Sequence, residues 1–217
     1  MIRWLKVAVF IAALGPAAYV VYGVFTNALG ANPIDAVTDE TGTWTLRFLV
    51  VTLLVTPLRK WTGWNALIRF RRMLGLFAFF YGTLHFLTYL VLDQFFAFNE
   101  ILADIVKRPF ITVGFGAFVL MIPLALTSTT GWIRRLGGRR WNLLHRLIYL
   151  SAIGGVVHYL WLVKSDTSRP ARYGMIVAFL LAARVWFAYN ARHGVSPRAA
   201  VAASPRAADA SATIDRR

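Results

Sequence analysis

The sequence predicts an all-α polytopic membrane protein, a six-transmembrane-helix bundle, and three observations predict it. The 217 residues are 58% hydrophobic with a mean hydropathy of +0.58, more apolar surface than one water-soluble core of this length buries. Six runs approach the roughly 20 mostly apolar residues that cross a bilayer: 7–25, 44–58, 73–92, 110–127, 142–162 and 173–189. The basic residues behind the net charge of +15 fall mainly on alternate connections between these runs, the pattern of a protein threaded back and forth through a membrane.

Run one follows Arg3 and Lys6. It reads as a retained helix, because Val24, Phe25 and Asn27 follow it where a signal peptide would show small residues at a cleavage site. The connection to run two carries Asp35, Asp39 and Glu40 and no Lys or Arg. Run two is the shortest and holds Arg47 within its outer end. Arg59, Lys60, Arg69, Arg71 and Arg72 separate it from run three, where Gly75, Ala78, Gly82 and His85 follow a 3, 4, 3 spacing and so form one stripe of a helix. The next connection mixes Asp93, Glu100 and Asp104 with Lys107 and Arg108. Run four holds Gly114 and Gly116, which lack the third glycine and the strand-turn-helix setting of a nucleotide fingerprint. Arg134, Arg135, Arg139 and Arg140 precede run five, which contains His145, Ser151, Gly154, Gly155 and His158. A loop with Lys164, Arg169 and Arg172, which fits the alternation less cleanly, leads to run six and Arg184. The chain thus divides into a transmembrane domain, 1–192, and a tail, 193–217, whose Ala, Ser, Pro and Arg without apolar periodicity predict disorder.

The charge alternation places both termini in the cytoplasm, with outer loops at 26–43, 93–109 and 163–172. In that setting the basic residues are topology signals and no nucleic-acid partner is expected. With no cysteine, disulfides, iron–sulfur clusters and thiolate-ligated haem are excluded. No segment outside the runs is left to form a nucleotide-binding domain, so electrons from NADPH would need a separate flavoprotein.

Three of the four histidines, His85, His145 and His158, lie inside apolar runs, where an ionisable side chain is costly unless paired or ligated. His193 lies beyond run six and reads as solvated. His85 stands 13 residues from Arg72, and His158 stands 13 from His145, about 20 Å of helix. His85 and His158 therefore share one level in the outer half of the membrane, and His145 sits near the inner surface. Two imidazoles at one depth on different helices suit the two axial positions of a b-type haem. A proton relay or helix-bridging hydrogen bonds, and other metal sites, are the other readings; no Asp, Glu or Cys shares these runs, which weakens a closed zinc site. The glycine stripes fit either a flat macrocycle close to the helices or bare helix packing. Arg47 and Arg184 suit haem propionates or a quinone headgroup, or they snorkel to the interface. One feature resists: 13 residues at 100° each leave His145 and His158 about 140° apart on an ideal helix, unless a bulge at Gly154 and Gly155 intervenes.

The stretches LGANPIDAVTDETGTWTLRFLVVTLLVTPLR (29–59), RRMLGLFAFFYGTLH (71–85), KRPFITVG (107–114), LALTST (124–129), WNLLHRLIYL (141–150) and HYLWLVKSD (158–166) resemble the MsrQ family, formerly YedZ. More distantly, the helical core is similar to the ferric reductase transmembrane domain. The resemblance implies one or two b-type haems on His85, His145 and His158, electrons from the membrane quinone pool, and a heterodimer with MsrP, a periplasmic molybdenum-containing partner that reduces methionine sulfoxide in oxidised envelope proteins. It also implies flavin mononucleotide, without assigning a residue to it. The sulfoxide chemistry would then belong to the partner and electron transfer to this chain. Two positions depart from the pattern. Asp39 stands where relatives often carry a histidine, two residues before the Thr41–Gly42 pair, and Arg71 and Arg72 stand where two-haem oxidases place a second histidine on run three. Other readings are a haem-dependent reductase of ferric chelate or oxygen at the outer surface, and a transporter with a histidine relay and no haem.

Overall fold

The computed structural model describes residues 2–193 and divides the chain into two units, Met1–Leu181 and Ala182–Arg217. The tail expected to be disordered lies, from residue 194 onward, outside the described residues. In the order of the chain the elements are α1 (Ile2–Phe25), α2 (Pro33–Thr62), a short 3₁₀ turn (Asn65–Leu67), α3 (Ile68–Leu87) with a π-helical extension (Thr88–Asp93), α4 (Phe98–Lys107), α5 (Pro109–Leu126), α6 (Thr130–Leu144), α7 (Leu147–Leu162) and α8 (Ser168–His193). Among the described residues six helical stretches are long and apolar enough to cross a membrane: Ile2–Phe25, Pro33–Thr62, Asn65–Asp93, Pro109–Leu126, Thr130–Leu162 and Ser168–Ala191. They coincide with the six apolar runs. The protein is a multi-pass membrane protein.

Three connections expected as loops are partly helical. The acidic stretch before run two is the first third of α2, started by Asn32, whose side chain accepts from the Asp35 N–H, and by Pro33 at the first helical position. The same helix ends at Gly63, whose φ of 71° lets its N–H reach the Arg59 carbonyl. The connection between runs three and four contains α4, with Phe98, Leu102 and Val106 on one exposed stripe and Ile101 buried opposite. The arginine-rich connection before run five is α6, capped by the Thr129 hydroxyl accepting from the Trp132 N–H and bent at Gly137, where φ is 73°.

The first unit is built around α2. In its most apolar window 44% of residues are buried inside the protein, against 11% for α1, so α2 is enclosed by other helices while α1 faces lipid. α2 packs along α3 and touches α7; α5 packs along α7 and touches α3. Leu46, Leu49 and Leu53 of α2, Ala78 and Tyr81 of α3, Met121 of α5 and Ala152 of α7 share one core. Phe48 stacks on Phe77 and Tyr81 at 5.5 and 5.4 Å. α1 is tied on by one polar contact. Pro16 has no N–H to give and its ring crowds the preceding turn; into that turn the Tyr81 hydroxyl inserts, accepting from the Ala17 N–H at 3.0 Å and donating to the Ala13 carbonyl at 2.7 Å. Of the second unit, 182–193 form the end of α8, where the Trp186 and Phe187 rings meet at 4.9 Å.

Candidate functional site

His85 projects from α3 and His158 from α7, and their ring centroids are 6.1 Å apart with the planes at 76°. The shared depth read from the sequence therefore becomes a facing pair. Each ring is anchored in the same way. The Nδ1–H of His85 donates to the Thr38 carbonyl of α2 at 3.0 Å, and the Nδ1–H of His158 donates to the Phe110 carbonyl of α5 at 2.7 Å. Because a carbonyl only accepts, the proton of each ring lies on Nδ1 and the lone pair on Nε2. A hydrogen bond from the far nitrogen to a carbonyl is the usual way a metal-bound imidazole is oriented and its tautomer fixed.

Glycine makes the anchoring possible. Gly42 stands four residues after Thr38, and Gly114 four after Phe110, so each glycine lies one helical turn beyond the carbonyl its histidine uses. A Cβ at Gly42 would meet His85 Cε1 and Nδ1 at 3.0 and 3.1 Å; one at Gly114 would meet His158 Nδ1 at 2.5 Å and Cε1 and Cγ at 2.9 Å. Both rings lie in cradles that any side chain would fill. The sequence reading gave Gly42 no role and set Gly114 aside as a failed nucleotide motif. The available signal was a glycine at similar positions in the two helices that flank the histidine-bearing ones. The stripes that the sequence did single out pack helices instead. A Cβ at Gly154 would come within 3.0 Å of the Ala117 Cβ, one at Gly82 lies 3.5 Å from Phe118 and Thr45, and one at Gly155 lies 3.7 Å from Leu46.

His145 lies elsewhere. α6 ends at Leu144, His145 is its C-cap, and α7 begins at Leu147. Between them lies a turn at His145 and Arg146, so the 140° reckoned for one ideal helix running from His145 to His158 does not apply as it stands. The His145 Nδ1 lies 3.1 Å from the Trp141 carbonyl, and the Trp141 ring stacks on the imidazole at 3.8 Å. Nε2 lies 3.5 Å from the Ser128 hydroxyl, but that hydroxyl donates its proton to the Leu124 carbonyl at 2.7 Å. The Leu124 carbonyl also accepts from the His145 ring, so carbonyls of Trp141 and Leu124 both face this imidazole and either nitrogen can carry its proton. His145 borders a cavity of about 310 Å³ that Arg71, Arg72, Asn142 and Thr52 also line. The buried Thr52 hydroxyl has no hydrogen-bond partner.

Arg47 is held by aromatic neighbours. Its Nε–H donates to the Tyr173 hydroxyl at 3.3 Å, and its guanidinium lies 4.5 Å over the Trp44 ring, while Trp44 donates to Glu40 at 2.8 Å. Arg184 lies on α8 within the second unit. Among the described residues no three of His, Cys, Asp and Glu gather as a metal site would need, whereas two axial imidazoles are what a haem iron takes. The adjacent imidazoles, their carbonyl anchors and the glycine cradles fit that group.

The sequence matches the family described as ferric reductase like transmembrane component over residues 41–156, a span that starts beside Gly42 and ends two residues short of His158. Among curated proteins it is 56% identical to the protein-methionine-sulfoxide reductase heme-binding subunit MsrQ of Herminiimonas arsenicoxydans, with 87% of each chain covered. It is 57% identical to the MsrQ of Azospira oryzae, over 83% of this chain and 78% of the relative, and 52% identical to that of Ralstonia nicotianae, over 92% and 94%. No solved structure matches the chain. With that identity along nearly the whole length of these relatives, the chain belongs to the MsrQ family of ferric reductase like transmembrane proteins.

Proposed function

We propose that the protein is the haem-binding electron-transfer subunit of a methionine sulfoxide reductase system, taking electrons from membrane quinol and passing them to a periplasmic reductase of the MsrP kind, with which it forms a heterodimer. The observation that carries this reading is the His85–His158 pair, two imidazoles with ring centroids 6.1 Å apart, each fixed through Nδ1 by a carbonyl of another helix. Haem b bound there supplies a one-electron carrier. His85 and His158 would hold the group, their orientation set by the Thr38 and Phe110 carbonyls, and two neutral nitrogen ligands would suit a carrier that changes charge by one electron. Both His85 and His158 lie toward the outer side in the proposed topology, with the termini cytoplasmic and the membrane the bacterial inner membrane. This puts the site near the surface where a periplasmic partner docks.

His145 serves as ligand to a second, inner haem in the cavity it shares with Arg71 and Arg72. The two guanidinium groups there suit carboxylates such as propionates, and the Thr52 hydroxyl offers a further donor. The names of the curated relatives, which call them heme-binding subunits of a methionine sulfoxide reductase, support haem and the assignment to that system. Reduced-minus-oxidised spectra and pyridine haemochrome counts of the purified protein test the reading. We expect a b-type spectrum, loss of one haem in either His85→Ala or His158→Ala, and loss of the other in His145→Ala. A colourless protein from haem-replete cells overturns it and leaves the histidine relay.

A further inference from the structure

A second cavity, a groove of about 690 Å³ between α1 and α3, belongs to neither histidine site. Lys6 of α1 and Arg69 and Arg72 of α3 line one end of it. From there the walls turn apolar: Phe10 and Leu14 follow Lys6 at steps of four along α1, and Leu76 and Phe80 continue the α3 side. Eight residues from Lys6 to Leu14 make about 12 Å of helix, the length of several methylenes of an acyl chain. No Asp or Glu lines the groove, so no acidic side chain in its wall neutralises the three cations. Lys6 is half-buried although it is charged, which means its stem is committed to the groove wall. Phe10 remains 49% exposed even while its ring meets Phe77 at 5.2 Å.

We propose that this groove binds one anionic phospholipid of the cytoplasmic leaflet, the phosphate among Lys6, Arg69 and Arg72 and an acyl chain along Phe10, Leu14, Leu76 and Phe80. Clustered cations at the cytoplasmic end of a cleft between membrane helices suit an anionic headgroup. A quinone also carries a long apolar tail, but its neutral head has no need of three cations. The lipid fills the space beside a helix that is otherwise tied on by the Tyr81 bridge and the Phe10–Phe77 contact. Arg72 lines both this groove and the His145 cavity, so the lipid phosphate and the inner site share one guanidinium. The side of the membrane follows from the topology proposed above; the headgroup chemistry does not depend on it, nor on any electron acceptor.

Native mass spectrometry of the full-length, delipidated protein, titrated with phosphatidylglycerol or phosphatidylcholine, tests this. The wild type should retain one phosphatidylglycerol in preference to phosphatidylcholine. The double variant Lys6→Gln, Arg69→Gln spares all three histidines and should bind phosphatidylglycerol about 25-fold more weakly, at roughly fivefold for each cation removed. Equal binding of the two lipids by the wild type, an unchanged preference in the double variant, or displacement of the lipid by a short-chain quinone at equal concentration each overturns the proposal. Should the double variant fail to assemble, Leu14→Trp fills the apolar end without altering charge. Expulsion of phosphatidylglycerol from that variant supports the site, and undiminished binding counts against it.

Discussion

At the scale of single residues, the seating of His85 and His158 depends on two hydrogen atoms standing where a Cβ would be. Gly42 and Gly114 let an imidazole from a facing helix reach a carbonyl that is already part of a helical ladder. The two cradles differ in tightness: at Gly114 an added Cβ would lie 2.5 Å from His158 Nδ1, which no real contact tolerates, whereas at Gly42 the nearest His85 atom is 3.0 Å away. Overpacking of this kind costs about 1–3 kcal/mol, and a tenfold change in affinity corresponds to about 1.4 kcal/mol. Gly114→Ala should therefore lower haem affinity about tenfold or more, and Gly42→Ala by a smaller factor. Gly116→Ala, two residues from the tight position but with nothing within 4 Å, should leave haem affinity at the wild-type level. Haem titration of the three variants, followed by absorbance, checks the order; a Gly116 variant as damaged as the Gly114 variant would show that α5 tolerates no alanine for reasons unrelated to His158. Of this constellation the histidines were legible in the sequence, since an imidazole in hydrocarbon stands out. The glycines were not, because they act on a ring that is 43 residues away in one case and 44 in the other, and only the packing brings them together.

At the scale of elements, hydropathy located what lipid demands and missed what capping and amphipathy supply. All six spans were legible from their length and apolar content. The helical start of α2 was not, because Asp35, Asp39 and Glu40 lower its hydropathy; the signals that make it helical are Asn32 and Pro33 at its start. α6 was equally hidden by its arginines, and with it the turn at His145 and Arg146. Tyr81 is a third device that no periodicity shows: a phenol reaching from α3 into the turn at Pro16 and satisfying Ala17 and Ala13 together. Removing its hydroxyl leaves both backbone groups without that partner inside the membrane. Tyr81→Phe should cost about 1 kcal/mol and lower the midpoint of thermal haem release in detergent. The absorption spectrum should not change, because Tyr81 is no part of either histidine site. Replacing Pro16 with Ala in the same background should recover much of the loss, as Ala restores an unbroken ladder in α1. If Tyr81→Phe matches the wild type with Pro16 in place, the bridge contributes nothing to holding α1.

At the scale of the whole molecule, the proposed topology puts the two histidine sites at different depths, about 20 Å apart at 13 residues of helix rise, in a hydrocarbon core about 30 Å thick. Electrons that start beside His145 and leave from the His85–His158 pair therefore traverse much of the transmembrane field. A unit charge crossing the full membrane gains or loses about 2.3 kcal/mol per 100 mV. The sign follows from the charge of the electron: with the cytoplasm negative, a negative charge moving outward runs downhill. An inside-negative potential should thus accelerate outward transfer. In proteoliposomes holding a quinol, with the periplasmic partner outside, imposing a potassium diffusion potential should raise the initial rate of partner reduction, and collapsing it should return the rate to the zero-potential value. The size of the change reports how deep the electron begins. Transfer that ignores the potential would place quinol oxidation at the level of the outer histidines and leave the His145 cavity out of the electron path. A rate that falls under an inside-negative potential would reverse the proposed topology, with the His85–His158 pair toward the cytoplasm. The charge alternation along the chain and the depth of the histidines thus come to bear on one measurement, because the first sets which end faces out and the second sets how far the electron must travel.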